Sequence, residues 1–151
     1  MKTLVSFYSR TGNTKKAGEE IAKNLNADID EIVDKKIRSG FLGFFSALKD
    51  VMFKKSTVIT TKKDLSEYDL VIVGTPVWAG SITPAVSTYL SKNQFNRLVF
   101  FCTFANNKGK TFIEMESLSQ KPIAVLELKD KEIDRSDEKI REFCEGVKEK
   151  Y

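Results

Sequence analysis

An α/β protein is predicted: a three-layer sandwich in which a five-stranded parallel sheet lies between helices on both faces. Three observations carry that expectation. Short apolar runs alternate with helix-length amphipathic segments along the chain. Four of the five runs are near-continuous in Leu, Val, Ile, Phe and Cys, the pattern of strands covered on both faces, as parallel sheets are. The 151 residues, 41% of them hydrophobic, fit one domain spanning 1–151 with enough interior to fold unaided.

The elements follow in order. Lys2–Tyr8, rich in Leu, Val, Phe and Tyr, reads as a buried strand. Asn13–Asn24 follows as a helix, with Ala17, Ile21 and Leu25 at fourfold spacing. Asp28–Val33 is a weaker strand, with Ile29 and Ile32 near opposite faces. Asp69–Thr75, Arg97–Thr103 and Pro122–Leu128 are three further apolar runs. Thr83, an N-cap hydroxyl followed by Pro84, opens a helix over Pro84–Ser91. Thr111–Ser119 places Phe112, Met115 and Leu118 on one side of a helix. Ser136 caps the last helix, which runs to about Lys150, with Ile140, Phe143, Cys144 and Val147 as its apolar stripe. Asp137 and Glu138 in its first turn suit the positive end of the helix dipole.

Composition narrows the chemistry. The chain has no histidine, which removes imidazole bases, Ser-His and Cys-His triads and the commonest zinc sites. Neither a metal nor a catalytic residue is expected. Cys102 and Cys144 form no C-x-x-C and read as small buried hydrophobes. No apolar run reaches the length of a membrane span, and the first residues lack the h-region of a signal peptide, so a cytoplasmic location is expected.

The net charge of +4 is unevenly spread, with 13 basic and 8 acidic side chains in residues 1–64. The surplus sits in doublets such as Lys15-Lys16 and Lys62-Lys63, separated by apolar sequence. They read as a solvated face, and nucleic acid is not expected as a partner.

In a doubly wound sheet the ligand lies beyond the carboxyl ends of the strands, where strand order reverses. Three loops therefore matter. The first is Ser9-Arg10-Thr11-Gly12-Asn13-Thr14, where three hydroxyls and several backbone N–H groups meet the positive end of a helix. That suits a phosphate, with Gly12 easing the turn. An ordinary helix start needs one hydroxyl, not three within six residues. The loop holds neither a Walker A pattern nor G-x-G-x-x-G; Gly109-Lys110-Thr111 has the Walker tail without its leading glycine.

The second loop, Thr75-Pro76-Val77-Trp78-Ala79-Gly80 and on to Pro84, holds the only tryptophan. Trp78 offers either a cap on the core or a stacking surface for a planar ligand. The third, Thr103-Phe104-Ala105-Asn106-Asn107, adds a second aromatic and two turn-forming asparagines before Lys108.

Ser9–Thr14 resembles the flavodoxin phosphate loop, Ser/Thr-x-Thr-Gly-x-Thr, and Thr75–Pro84 resembles the flavin-edge loop of the same family. The similarity runs over essentially the whole chain. It implies the flavodoxin-like strand order 2-1-3-4-5 and FMN as cofactor. It further implies that Ser9, Thr11, Asn13 and Thr14 hold the FMN phosphate and that Trp78 stacks on the isoalloxazine. Ala79 and Gly80 would lie near the flavin N5 edge, and Thr103–Asn107 would close the other side. Two departures stand out. None of the three loops holds Asp or Glu, and Lys108 and Lys110 flank the third, a setting expected to favour the anionic reduced flavin. Phe104 stands where the family commonly has tyrosine.

Residues 38–55 hold 4 of the 11 phenylalanines, with Phe41, Phe45, Leu48 and Met52 at helical spacing between basic ends. They read as a crossover helix packed on the sheet, or as a contact for a second subunit, a partner or an anionic membrane surface. Three functions stay open. The first is an FMN electron carrier between redox partner proteins. The second is an oxidoreductase of the same fold acting on a quinone, NAD(P)H or a porphyrinogen. The third is a module that keeps the fold without the flavin.

Overall fold

The structure is a computed structural model and describes residues 1–35 and 57–150. Five parallel strands form its main sheet: β1 (Thr3–Phe7), β2 (Asp28–Glu31), β5 (Leu70–Pro76), β6 (Leu98–Phe104) and β7 (Ala124–Lys129). Their spatial order is β2-β1-β5-β6-β7. Counting these five alone, the order is 2-1-3-4-5, as the resemblance implies. The chain steps outward from β1 to β2 and then crosses back to β5, so order reverses between β1 and β5. Two short strands, β3 (Val33–Asp34) and β4 (Ile59–Thr60), pair antiparallel in a separate ribbon that the sequence reading did not foresee.

Four helices are described: α1 (Asn13–Leu25), α2 (Pro84–Lys92), α3 (Thr111–Leu118) and α4 (Asp137–Lys148). The crossover helix expected over residues 38–55 lies outside the described residues.

The central strands divide their side chains by the two-residue period of a strand. Val5, Phe7, Leu70, Ile72, Val99 and Phe101 join Ile21 of α1 and Ile140, Cys144 and Val147 of α4 in one core layer. Leu4, Val71, Val73, Leu98 and Phe100 face the other way, onto Val86, Tyr89 and Leu90 of α2 and Met115 of α3. Every residue of β6 is buried, which explains its unbroken apolar run. Each such side chain contributes ~1.5–3 kcal/mol by leaving water.

The edge strand β7 corrects the expectation of burial on both faces, while β2 keeps the alternation read for it. In β7 only Leu126 and Leu128 are buried, and Val125 is 48% exposed, because an edge strand meets helices on one side alone. In β2 the buried residue is Asp30, whose carboxylate accepts the backbone N–H groups of Lys62 and Lys63 at 2.9–3.0 Å. Ile29 is exposed and Ile32 buried.

Two caps are also corrected. Thr83 and Ser136 occupy N-cap positions, but neither hydroxyl caps its helix. The Thr83 Oγ1 lies 3.0 Å from Thr75 Oγ1, and Ser136 Oγ donates to the Ile133 carbonyl at 2.8 Å. Both oxygens are buried beside nearer partners. Among the described residues no helix is long and apolar enough to cross a membrane.

Candidate functional site

The carboxyl ends of β1, β5 and β6 bring the three loops together. Val77 N–H donates to the Thr103 carbonyl at 2.9 Å, joining the second loop to the third. The hydroxyls of Thr14 and Thr103 lie 2.7 Å apart, joining the first to the third. The Arg10 guanidinium sits 5.9 Å over the Trp78 ring, joining the first to the second.

In the first loop Gly12 takes φ 102 and occupies the N-cap of α1, with no side chain capping the helix. Ser9 Oγ accepts the N–H groups of Gly12 and Lys15, each at 3.2 Å. It serves there as the oxygen acceptor that an anion could also supply. Among the described residues the N–H groups of Asn13 and Thr14, at the positive end of α1, meet no acceptor. Thr11 and Gly12 are exposed; Ser9, Arg10 and Asn13 are half-buried.

The second loop turns tightly at Trp78-Ala79-Gly80-Ser81. Trp78 and Ser81 exchange both backbone hydrogen bonds at 3.0 Å, with φ 50 at Ala79 and φ 71 at Gly80. Two positive φ values in a two-residue turn are the type I′ pattern. Ala79 is a non-glycine residue held there, the kind of local strain that surrounding structure must impose. Trp78 is half-buried and meets Tyr8 edge-on, with ring centroids 5.7 Å apart at 81°. It is therefore neither sunk in the core nor free in solvent.

Not every expected residue is placed to touch a ligand. Thr75 is fully buried, its hydroxyl donating to the Pro76 carbonyl and meeting Thr83. Phe104 is buried at the end of β6. Pro76, Val77 and Gly80 are half-buried; Ala79, Ala105, Asn106 and Asn107 are exposed. Asn107 Oδ1 accepts the Gly109 N–H at 3.0 Å, the ordinary turn role of an asparagine. Cys102 and Cys144 are buried, and burial pushes their thiols up to about 12 and about 11.

A family model described as Flavodoxin matches residues 2–146. The chain belongs to the flavodoxin family. Among solved structures, the flavoprotein from Lactobacillus acidophilus NCFM in complex with FMN is 24% identical, with 89% of this chain and 97% of that one covered at TM-score 0.72. The apo-form of the Lactobacillus acidophilus NCFM flavoprotein, solved by NMR, is 27% identical over 89% of this chain and 95% of that one, TM-score 0.67. Oxidised Flavodoxin 2 from Bacillus cereus is 16% identical, each chain fully covered, TM-score 0.63. No curated protein sequence matches.

Within this flavodoxin both lysines beside the third loop are ion-paired. Lys108 Nζ pairs with Glu127 of β7, whose carboxylate holds the ammonium above its ordinary pKa. Lys110 Nζ lies 3.4 Å from Glu114 of α3. On the first loop, Lys15 pairs with Glu31 at 3.1 Å and Lys16 with Asp134. The loops hold no acids, but neighbouring elements bring one to each lysine. Sequence reasoning missed these partners and Glu114, which only topology brings to the loops, and it gave no role to Tyr8, Ser81 or Gly109, although Ser81 and Gly109 lie within the loops it named.

Proposed function

We propose that this flavodoxin binds FMN across the carboxyl ends of β1, β5 and β6 and carries electrons between partner proteins in the cytoplasm. The observation that carries the reading is the N-terminus of α1, which has no side-chain cap, close to a half-buried Trp78 that the first loop's Arg10 overlies. An anionic group suits the first and a broad aromatic ring suits the second, and FMN has both.

The residues present fit that group. Backbone N–H groups of Asn13 and Thr14, with the hydroxyls of Ser9 and Thr11, would take the phosphate. The Thr14 hydroxyl is engaged with Thr103, so its backbone is its contribution. Trp78 would stack on the ring system, the Ala79 and Gly80 backbone would meet its edge, and residues from Thr103 to Asn107 would flank the far side. FMN supplies the redox chemistry when bound; the chain binds, orients and shields it. No histidine is needed for that work.

The test is the visible absorption spectrum of the purified protein, followed by mixing with NAD(P)H under anaerobic conditions. Flavin bands, and reduction only after a separate reductase is added, are expected. Steady NAD(P)H oxidation by the protein alone would assign it instead to an oxidoreductase.

A further inference from the structure

We propose that Glu114 is a positioning residue for the Trp78–Ser81 turn, gripping it from α3 so that it meets the ligand in one fixed shape. The inference rests on the FMN reading above. Glu114 Oε2 accepts the Ser81 hydroxyl at 2.5 Å and the Ile82 N–H at 2.9 Å. Both partners are 7% exposed, so losing the carboxylate carries a desolvation cost at each. One residue thus anchors the exit of the turn at two consecutive positions.

The same segment holds the turn at a third point. Lys110 N–H donates to the Gly80 carbonyl at 3.0 Å. Gly109 packs so closely that a Cβ there would lie 2.1 Å from the Gly80 oxygen. Ala79 keeps its positive φ inside this grip. Glu114 touches no expected ligand position. Its action runs through Ser81, Ile82 and the turn to Trp78.

The experiment compares Glu114→Ala, Glu114→Leu and Glu114→Gln with wild type. FMN is titrated into flavin-free protein, and iodide quenching of the single tryptophan is measured without ligand. Losing the acceptor leaves two buried donors unpaired, so Ala and Leu weaken FMN binding about tenfold or more and increase Trp78 quenching. Gln keeps an acceptor oxygen and restores both readouts to within about threefold of wild type. Should the Ala variant fail to fold, Ser81→Ala reads the same contact from the other side and is expected to shift both readouts in the same direction. Wild-type affinity and wild-type quenching in the Ala and Leu variants, or in Ser81→Ala, would overturn the proposal. A wild-type protein that ignores FMN would sink the cofactor reading alone, because the quenching comparison needs no ligand.

Discussion

The hydroxyl of Thr14, in the first turn of α1, lies 2.7 Å from the hydroxyl of Thr103, near the end of β6, and both residues are 1% exposed. The Thr103 carbonyl also accepts the Val77 N–H, so one buried residue ties all three loops together. These contacts hold the three loops together at the carboxyl ends of β1, β5 and β6.

That pairing can be measured. Thr14→Val or Thr103→Val leaves the other hydroxyl buried without its partner and costs ~1–2 kcal/mol of stability. The double variant replaces both hydroxyls with methyl groups and costs less than the two singles together. Urea unfolding of the four proteins checks it; simple additivity would contradict a direct hydrogen bond.

Trp78 is half-buried, with Tyr8 edge-on and the Arg10 guanidinium 5.9 Å over its ring, and the proposed function stacks it on the flavin. Trp78→Ala weakens FMN binding by ~2 kcal/mol, roughly thirtyfold, from lost stacking and apolar contact. Equilibrium titration gives the number. An unchanged dissociation constant would put the ring system elsewhere.

Gly109 takes φ 54 with the Gly80 backbone against its Cα. A methyl group there meets the turn head-on and strains the backbone as well. Gly109→Ala is expected to cost ~1–3 kcal/mol of stability and, on the proposed function, to loosen FMN with it, because the displaced segment is the turn assigned to the flavin edge. Thermal unfolding and the same titration test both parts.

Much of this was legible beforehand, and the reasons differ by element. The runs at β5 and β6 are covered on both faces, so burial writes itself into every residue. At β7 one face meets solvent, and the expectation of full burial failed at Val125, whereas the alternation read at β2 matches an exposed Ile29 and a buried Ile32. Thr83 and Ser136 mark helix starts correctly, yet the Thr83 hydroxyl turns to Thr75 on β5 and the Ser136 hydroxyl turns back to the Ile133 carbonyl rather than forward to the helix. The lysines beside the third loop read as unopposed cations because Glu114 and Glu127 arrive from α3 and β7. The hydroxyl-rich first loop and the Trp78 loop were visible as motifs, since each is contiguous in sequence.

The buried thiols and phenols set the alkaline limit. The folded protein holds the Cys102 thiol up at about 12 and Cys144 at about 11, against an ordinary 9.0. Tyr68, at about 12 against 10.0, is raised by burial and by its hydrogen bond to Asp28. Unfolding therefore releases protons above pH 9. Stability is fully kept below that pH and falls as pH rises toward 12, with a shallower fall in Cys102→Ala. Denaturant unfolding across pH 8–11 checks the sign, and a flat profile would contradict burial of these groups.

The most direct test is a paired titration of the flavin-free protein with FMN and with riboflavin, followed by flavin fluorescence. The account predicts that FMN binds with strong quenching as its ring meets Trp78. Riboflavin, which cannot engage the start of α1, should bind at least tenfold more weakly. Equal affinity for the two, or no quenching by either, would contradict it.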